Sequence, residues 1–363
     1  MAETRRVLLT GAFGTVGGET LKALVNAGYE VTALDVRSDA SAARHSQLAR
    51  TLDFETAWVD ITDKAAVGSL LTTSGFEAIL HVAAIIPPLA YTRPDLARAV
   101  NVDGTRNLIE AAEGLDPKPR FIYTSSYSVH GPRNPHRRLP PLTADSPLDP
   151  GDNYGCHKVQ GERMLQASDL PWVALRLAGV AIRGSAAMND DAMRFTYLIP
   201  PDQPAAGVDV LDAASALVAS IEADCVGRTF DIAGDESWQM TMGEMMDMFF
   251  VAFGIPTLPA EAFRAADPGV DESWYFGDHV DTSEAQRVLG YQHHTRERYE
   301  AEIRVSGPKR WAAMAAGPFV RRRLLSGSPY HSKLSQPDPT PMKRVILDAF
   351  GIDPAEADCE SSA

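Results

Sequence analysis

Short apolar runs alternate with amphipathic stretches through the first half of the chain. The runs that predict strands lie at residues 7–9, 30–34, 54–59, 78–84, 120–126 and 172–177. Stretches with helical spacing or composition lie between them, at residues 20–25, 64–71, 94–113 and 154–167. Strands that alternate with helices in this way predict an α/β fold built on a doubly wound parallel sheet with right-handed crossovers.

The pattern loosens after residue 180. We expect short strands at 208–211 and 228–232, a helix at 212–223, and a methionine-rich helix at 240–253 whose methionines fill the core. The proline-interrupted residues 85–89 and residues 131–152 are predicted to be loops. These observations divide the chain into a main domain at 1–180, to which 208–232 return, a smaller lobe at 181–300 and an extension at 301–363.

The extension differs from the rest of the chain in charge. Its basic residues are Arg304, Lys309, Arg310, Arg321, Arg322, Arg323, Lys333, Lys343 and Arg344. Few acidic residues accompany them before the acidic end, and prolines, among them those at 329, 337, 339, 341 and 354, interrupt the segment. Two interpretations stay open: the extension packs on the main body or forms an oligomer contact, or it presents a basic patch to a membrane surface or nucleic acid.

Composition narrows the classes of protein. The 363 residues are 45% hydrophobic and 23% charged, as in an ordinary globular enzyme. A formal net charge of −14 argues against a general nucleic-acid binder. The three cysteines, at 156, 225 and 359, show no CxxC pair or metal-ligand spacing, so we expect no disulfide framework and no metal. With no apolar leader and no long apolar window, we expect a cytoplasmic protein without a membrane partner.

Three glycines follow the first predicted strand at intervals of three. Gly11, Gly14 and Gly17 separate that strand from the next helix, and the second strand ends at Asp35. Glycine allows positive φ and lets backbone N–H groups approach a pyrophosphate at a helix N-terminus. An acidic residue at the end of the second strand suits a ribose hydroxyl. The arrangement predicts a Rossmann-type dinucleotide site.

A tyrosine and a lysine open the helix after the fifth strand. Tyr154 and Lys158 are four residues apart and therefore share one helical face. A nearby ammonium and a positively charged oxidised nicotinamide both favour the phenolate, which moves the pKa of tyrosine toward neutral pH. Ser126 ends the fifth strand at the same edge of the sheet, where its hydroxyl could hold a substrate oxygen.

These motifs resemble the extended short-chain dehydrogenases/reductases of the NAD-dependent epimerase/dehydratase type. The matching stretches are residues 10–17 (TGAFGTVG), 60–63 (DITD), 81–84 (HVAA), 101–105 (NVDGT), 124–131 (TSSYSVHG) and 154–158 (YGCHK). They occur in the family's order and extend the resemblance over residues 5–292.

The resemblance implies a role for each matching residue. The cofactor-binding residues that it implies are Gly11, Phe13, Gly14, Thr15, Val16 and Gly17 at the pyrophosphate, Asp35 at the adenosine ribose, Asp60 and Ile61 at the adenine, and Ala83, Ala84 and Leu177 beside the nicotinamide ribose, with Tyr154 and Lys158 at the reacting end. The implied catalytic residues are Ser126, Tyr154 and Lys158, with Asn101 supporting the proton path. It also implies a small-molecule substrate and a homodimer formed through the helices at 94–113 and 154–167.

NAD is favoured over NADP because the carboxylate of Asp35 repels a 2′-phosphate, although Arg37 lies two residues further on. Among the family's activities, a dehydratase is disfavoured because Tyr127 and Ser128 stand where that class has an Asp-Glu pair. The leading hypothesis is an oxidoreductase that transfers hydride between a secondary alcohol or ketone and nicotinamide.

The alternatives are a nucleotide-sugar epimerase, such as a UDP-sugar 4-epimerase, and a non-catalytic NAD-binding regulator. Against the epimerase, residues 176–180 lack the asparagine that contacts the diphosphate in that class, although Arg183 and Arg194 could bind an anion. The loop at 85–89 and Tyr91 would suit an apolar or ring-shaped substrate.

Overall fold

A computed structural model describes residues 5–183, 190–331 and 336–352. The strands are β1 (Arg6–Thr10), β2 (Glu30–Asp35), β3 (Glu55–Trp58), β4 (Ala78–His81), β5 (Arg120–Ser126), β6 (Trp172–Leu177), β7 (Gly179–Ala181), β8 (Pro204–Asp209), β9 (Arg228–Ile232) and β10 (Gln239–Thr241). Seven of them form a sheet in the order β3-β2-β1-β4-β5-β6-β9, in which all pairs are parallel. The predicted doubly wound α/β fold is confirmed.

Helices connect and cover these strands. The α-helices are α1 (Thr15–Asn26), α2 (Asp39–Leu48), α3 (Lys64–Ser74), α4 (Leu89–Thr92), α5 (Pro94–Arg98), α6 (Thr105–Glu113), α7 (Asn153–Ala167), α8 (Asp190–Leu198), α9 (Val210–Ala219), α10 (Met242–Ala252), α11 (Ser283–Leu289), α12 (Arg296–Ile303), α13 (Gly307–Gly327) and α14 (Met342–Phe350). Residues Ala99–Gly104 form a π-helix between α5 and α6.

Both faces of the large sheet are buried, and β1 shows why its sequence is continuously apolar. Leu9 belongs to a cluster that includes Leu21 of α1 on one face. Leu8 points to the opposite face, into a cluster that includes Val67 of α3 and Leu108 of α6. Because successive side chains of a strand point to opposite faces, a strand covered on both sides needs apolar residues at every position.

The parallel register brings the carboxyl ends of several strands to one edge. Thr10 pairs with His81 across β1 and β4, and Ser126 pairs with Leu177 across β5 and β6. Ligands of doubly wound sheets bind at this edge. The register therefore places the predicted glycine turn, Ser126 and the start of α7 on the same side of the sheet.

Several predicted boundaries were wrong. The single helix expected at 94–113 is divided into α5, the π-helix and α6. Part of the predicted loop 85–89 belongs to α4, and the helix expected at 240–253 begins with strand β10. The short strands β7, β8 and β10 form a second sheet, in which β8 lies between the other two. Pairing between residues far apart in sequence sets these boundaries, and local propensity does not contain that information.

The described residues of the extension pack against the rest of the protein. Leu324 and Leu325 of α13 pack on a cluster that includes Phe250 and Phe263. α14 contacts α4 and α8, and its Met342 and Ile346 are buried. The interpretation that the extension packs on the main body is supported for these residues. The division at 180 and 300 stays a prediction, and residues 353–363 lie outside the described chain.

Two cysteines lie in the described residues. Cys225 is free and buried, whereas Cys156, in the first turn of α7, is disulfide-bonded. The scattered spacing of the cysteines gave no indication of this bond, because spacing carries no information about which side chains meet in the fold.

Candidate active site

The glycine turn has no room for side chains at two of its three glycines. Gly11 has φ +65° and faces the backbone of Ala83, which a Cβ would approach to 2.8 Å. A Cβ on Gly17 would lie 2.0 Å from the carbonyl oxygen of Gly11. Gly14 and Thr15 are exposed at the start of α1, where the N-cap is glycine and supplies no side-chain oxygen. The first N–H groups of α1 are thus free to bind an anion.

Asp35 is held beside this turn. Its carboxylate accepts hydrogen bonds from the N–H groups of Phe13 and Val36, at 2.9 and 2.8 Å. Burial nevertheless raises the pKa of Asp35, and these two bonds oppose the increase. The Arg37 guanidinium lies 5.7 Å from the centre of the Trp58 ring. The acid therefore faces the turn while the neighbouring arginine stacks on β3, which suits a ribose with a free 2′-hydroxyl.

The residues predicted to contact adenine follow β3. Asp60 accepts hydrogen bonds from the N–H and the hydroxyl of Thr62, at 2.9 and 2.8 Å. Ile61 is buried, and a Cβ on Gly104 would lie 2.6 Å from its side chain. Ile61 therefore links this corner to the π-helix, and Asp60 remains at the surface beside it.

A buried histidine connects the glycine strand to the π-helix. His81 Nδ1 lies 2.7 Å from the hydroxyl of Thr10, and Nε2 lies 2.9 Å from that of Thr105. The Thr10 hydroxyl also accepts from the N–H groups of Val82 and Ala83, both at 3.2 Å. Burial and the charge of Lys158 lower the pKa of His81 to about 3, so the ring is neutral. The sequence identified His81 only as part of the HVAA motif and gave it no role. In the structure, His81 and Thr10 position Ala83 on the predicted nicotinamide side.

Ser126, Tyr154 and Lys158 come together at the carboxyl edge of the sheet. The Tyr154 phenol lies next to the Ser126 side chain, which acts to lower the pKa of the phenol. The Ser126 hydroxyl also accepts from the N–H and the hydroxyl of Ser128, at 3.3 and 3.0 Å. Lys158 donates to the carbonyl of Thr124 at 2.7 Å, and its Nζ lies 5.7 Å from the Tyr154 ring centre. The geometry is that of a phenol with a hydroxyl and an ammonium beside it.

Burial governs the protonation of this group. It lowers the pKa of Lys158 to about 7, although Glu162 opposes the decrease. It raises the pKa of Tyr154 above its ordinary value, with the Ser126 side chain acting in the opposite direction. The lowering expected from Lys158 alone is therefore outweighed. Together with Lys158, the positive ring of oxidised nicotinamide would favour the phenolate.

Asn101 lies in the π-helix and contacts the loop after β4. Its side-chain amide donates to the carbonyl of Ile85, and its side-chain oxygen accepts from the N–H of the same residue, both at 2.8 Å. Its backbone carbonyl accepts from the Thr105 hydroxyl at 2.7 Å. The Asn101 side chain is thus committed to the loop, and π-turns of this kind recur at functional sites.

A buried ion pair supports the catalytic helix from behind, and sequence reasoning missed it. Arg176 of β6 donates to both carboxylate oxygens of Glu162, at 2.9 and 2.8 Å. Ser125 donates to Glu162 at 2.5 Å. Glu162 lies one turn beyond Lys158 on α7, so the pair fixes the helix against β5 and β6. In the sequence, the four-residue spacing of Lys158 and Glu162, which puts both on one face of the helix, could have pointed to Glu162.

The substrate side differs from the predicted one. Tyr91 is fully buried and donates to Asp152 at 2.5 Å, so it supports the N-cap of α7 and does not face a ligand. The Tyr275 ring contacts the rings of Phe195 and Phe276, with centroids 5.8 and 5.0 Å away. Gln203 holds it there by accepting from its N–H at 2.7 Å. Burial, with the charges of Asp152, Tyr127 and Tyr154, raises the pKa of Tyr275 well above its ordinary value.

The two arginines expected to bind an anion are engaged elsewhere. Arg183 forms ion pairs with Asp209 and Glu302. Arg194 is exposed, and its guanidinium lies 5.7 Å from the centre of the Phe350 ring. Neither is held ready for a diphosphate in this arrangement.

A family model described as the NAD dependent epimerase/dehydratase family matches residues 7–199. The matched region covers the glycine turn and the group formed by Ser126, Tyr154 and Lys158. The large sheet, the turn that excludes a Cβ at Gly17 and the oriented Asp35 all fit the dinucleotide that this family uses.

Curated relatives include both epimerases and a dehydrogenase. A UDP-glucose 4-epimerase of Bacillus subtilis (strain 168) is 31% identical over 171 residues, which is 44% of this chain and 47% of that protein. A D-erythronate dehydrogenase of Cupriavidus necator is 35% identical over 107 residues, 29% of this chain and 31% of that protein. The chain thus spans about half the length, or less, of these curated relatives.

Solved structures share the fold over a larger part of the chain. A UDP-glucuronic acid 4-epimerase from Bacillus cereus, in complex with UDP-glucuronic acid and NAD, superimposes with a TM-score of 0.64 and 21% identity. The superposition covers 82% of this chain and 98% of that one.

Proposed function

Because this chain belongs to the NAD-dependent epimerase/dehydratase family, we propose that it oxidises a secondary alcohol carbon of a nucleotide sugar as the first half of an epimerisation. The observation that carries the hydride-transfer chemistry is the contact of Tyr154 with Ser126 while Lys158 lies beside the phenol. The names of the curated epimerase relatives favour the sugar substrate.

NAD would be held by the residues that the glycine turn and Asp35 provide. The N–H groups at the start of α1 would bind the pyrophosphate, and Asp35 would accept from the adenosine ribose. Asp60 and Ile61 would lie at the adenine, with Ala83, Ala84 and Leu177 beside the nicotinamide ribose. When bound, NAD supplies the hydride acceptor and the positive charge near the phenol.

The chain's own residues perform the proton transfer. The Tyr154 phenolate takes the proton of the substrate hydroxyl while the C–H bond gives up its hydride. Ser126 donates a hydrogen bond to the substrate oxygen as its carbonyl character develops. The ammonium of Lys158 stabilises the phenolate, and Asn101 would support the proton path only indirectly, by holding the loop after β4 through its two hydrogen bonds to Ile85. In the return step the carbonyl carbon would take the hydride back on its opposite face while Tyr154 returns the proton to the same oxygen, so there is no net oxidation and no cofactor is consumed.

A net dehydrogenase of a free alcohol is the second candidate, and one structural observation favours it. Arg183 is paired with Asp209 and Glu302, so it would have to leave both acids to bind a diphosphate. Gly179 stands in the segment where the epimerase class has its diphosphate-binding asparagine. The dehydrogenase relative agrees with this candidate.

One assay separates the candidates. The purified protein is incubated with NAD and, separately, with UDP-glucose, UDP-glucuronic acid and free polyols, while NADH absorbance and sugar products are followed. Interconversion of epimers without net NADH supports the epimerase. Steady accumulation of NADH with a free alcohol would replace it with the dehydrogenase.

A further inference from the structure

The outer face of α13, defined by Trp311, Ala315, Phe319 and Arg322, is apolar and basic, and it is exposed. These residues are three or four positions apart and therefore share one side of the helix. Trp311 is 74% exposed and Phe319 is 79% exposed. Side chains of this size are seldom so exposed without a partner, and here two lie two turns apart on one helix.

The opposite side of α13 is anchored to the protein. Gly317 packs on Pro256, which a Cβ would approach to 2.8 Å. Arg321 donates to the carbonyl of Thr257 at 2.9 Å, and the carbonyl of Leu324 accepts from the Tyr197 hydroxyl at 2.6 Å. These contacts hold the helix along the surface, so the outer face points away from the body of the protein.

The segment that contains this face is basic. Residues 305–337 contain six lysines or arginines and no aspartate or glutamate, although the whole chain has a formal net charge of −14. Arg322 and Arg323 lie three and four positions after Phe319 and are exposed. Arg323 lies 3.9 Å from the carboxylate of Asp190, and both side chains are exposed. An anionic partner therefore matches this face, and most of the remaining surface would repel it.

We propose that the outer face of α13 binds the surface of an anionic lipid bilayer, with the helix lying in the interface. Trp and Phe between small alanines suit insertion at the headgroup level, and arginines beside them attract anionic lipids. Among the described residues no helix is both long and apolar enough to cross a membrane, so the contact is made on the surface. The proposal replaces the expectation of no membrane partner.

A second copy of the chain is a weaker match for the same face. Two outer faces brought together would place Arg322 and Arg323 of both copies at one interface, where like charges repel. A nucleic acid is also a weaker match, because this face presents apolar side chains and alanines between its arginines. The acidic remainder of the chain would repel the phosphate backbone.

The full-length protein is mixed with vesicles of phosphatidylcholine alone and with vesicles that also contain phosphatidylglycerol, and bound protein is separated by sedimentation. We expect binding to the anionic vesicles that weakens as salt is raised. Tryptophan fluorescence then locates the contact, because Trp311 is the only exposed one of the five tryptophans, all of which lie in described residues. Brominated lipid should quench the wild type, and Trp311→Phe should bind normally with that quenching lost.

Two double variants test the two parts of the face. The first double variant combines Trp311→Ser and Phe319→Ser, and the second combines Arg322→Glu and Arg323→Glu. Each should weaken vesicle binding by about tenfold or more. The control for the apolar variant combines Val226→Ser and Leu148→Ser, and the control for the charge variant combines Arg50→Glu and Arg287→Glu. All four control positions are exposed residues elsewhere in the protein. All variants should keep the circular dichroism and unfolding temperature of the wild type.

Two results would overturn the proposal. One is wild-type protein that stays in solution with both kinds of vesicle. The other is vesicle binding that the α13 double variants and their controls retain equally. Concentration-dependent self-association that the Trp311→Ser, Phe319→Ser variant abolishes, without vesicle binding, would assign the face to a second copy of the chain instead.

Discussion

Lys158 lies one helical turn beyond Tyr154, with its Nζ 5.7 Å from the centre of the tyrosine ring. The same ammonium donates to the carbonyl of Thr124 at 2.7 Å, so β5 fixes its position. This arrangement keeps a positive charge close to the phenol without a direct ion pair. The charge therefore stabilises a phenolate when one forms and leaves the phenol free to contact substrate.

Tyr154→Phe should lower kcat by about 10²–10⁴-fold, because it removes the group that transfers the proton. NAD affinity should change little, since the ring remains in place. Turnover and NAD binding by fluorescence titration measure the two effects. Tyr29→Phe, whose hydroxyl contacts Glu222 far from the site, is the control. A Tyr154→Phe protein with full turnover would rule out the proposed role.

The stability of the NAD-free protein should depend on pH through Lys158. Burial lowers the pKa of Lys158 from 10.5 to about 7. Between these values the unfolded chain holds a proton that the folded chain has lost, so wild-type stability rises with pH. Relative to Lys158→Met, the free energy of unfolding should rise by up to about 1.4 kcal/mol per pH unit between pH 7 and 10.

Urea unfolding of both proteins across this pH range measures the difference. Lys64→Met removes an exposed lysine from α3 and serves as the control. A difference between wild type and Lys158→Met that stays constant with pH would contradict the burial of a titrating ammonium at this position.

Asp35→Ser should weaken NAD binding by about 10-fold or more and narrow the preference for NAD over NADP. The variant removes hydrogen-bond acceptors from the ribose site and the charge that repels a 2′-phosphate. Titration with both cofactors measures the ratio of dissociation constants. Asp53→Ser, at an exposed acid before β3, should leave that ratio unchanged. An unchanged ratio in Asp35→Ser would place the ribose elsewhere.

Arg176→Met should destabilise the protein by about 3–5 kcal/mol, because it leaves the Glu162 carboxylate buried without its partner. Adding Glu162→Leu should restore much of this loss. Urea denaturation of the two variants measures the free energies of unfolding. Arg287→Met, at a 70% exposed ion pair with Glu284, should cost less than about 1 kcal/mol. Equal losses in the Arg176 single and double variants would contradict this account.

Gly17→Ala should abolish NAD binding and destabilise the fold, since its Cβ would lie 2.0 Å from the backbone oxygen of Gly11. Gly68→Ala in α3 is the matched control, because no atom lies within 4 Å of its added Cβ. That substitution should be neutral or stabilise the protein by up to about 1 kcal/mol. Calorimetry with and without NAD measures both effects, and retained NAD binding in Gly17→Ala would contradict the close approach.

Much of the fold could be predicted because its signals are local. The passage from β1 through the glycine turn into α1 depends on residues a few positions apart, and so does the shared face of Tyr154 and Lys158. Continuous apolar runs, such as Val7, Leu8 and Leu9, predicted the buried strands. The same reasoning failed at residues 94–113, because the interruption by the π-helix depends on how Asn101 meets the loop after β4.

The amino-acid sequence by itself determined the class of sheet, the dinucleotide turn and the identity of the candidate catalytic residues. Only the tertiary structure decided that Tyr91 supports Asp152, 61 residues away, and that Arg183 is paired with Glu302, 119 residues away. Likewise, only the fold shows which side of α13 is anchored and which is exposed. The physical reason is that periodicity and turn chemistry act over a few residues. Pairing between distant side chains depends on how the elements pack in three dimensions.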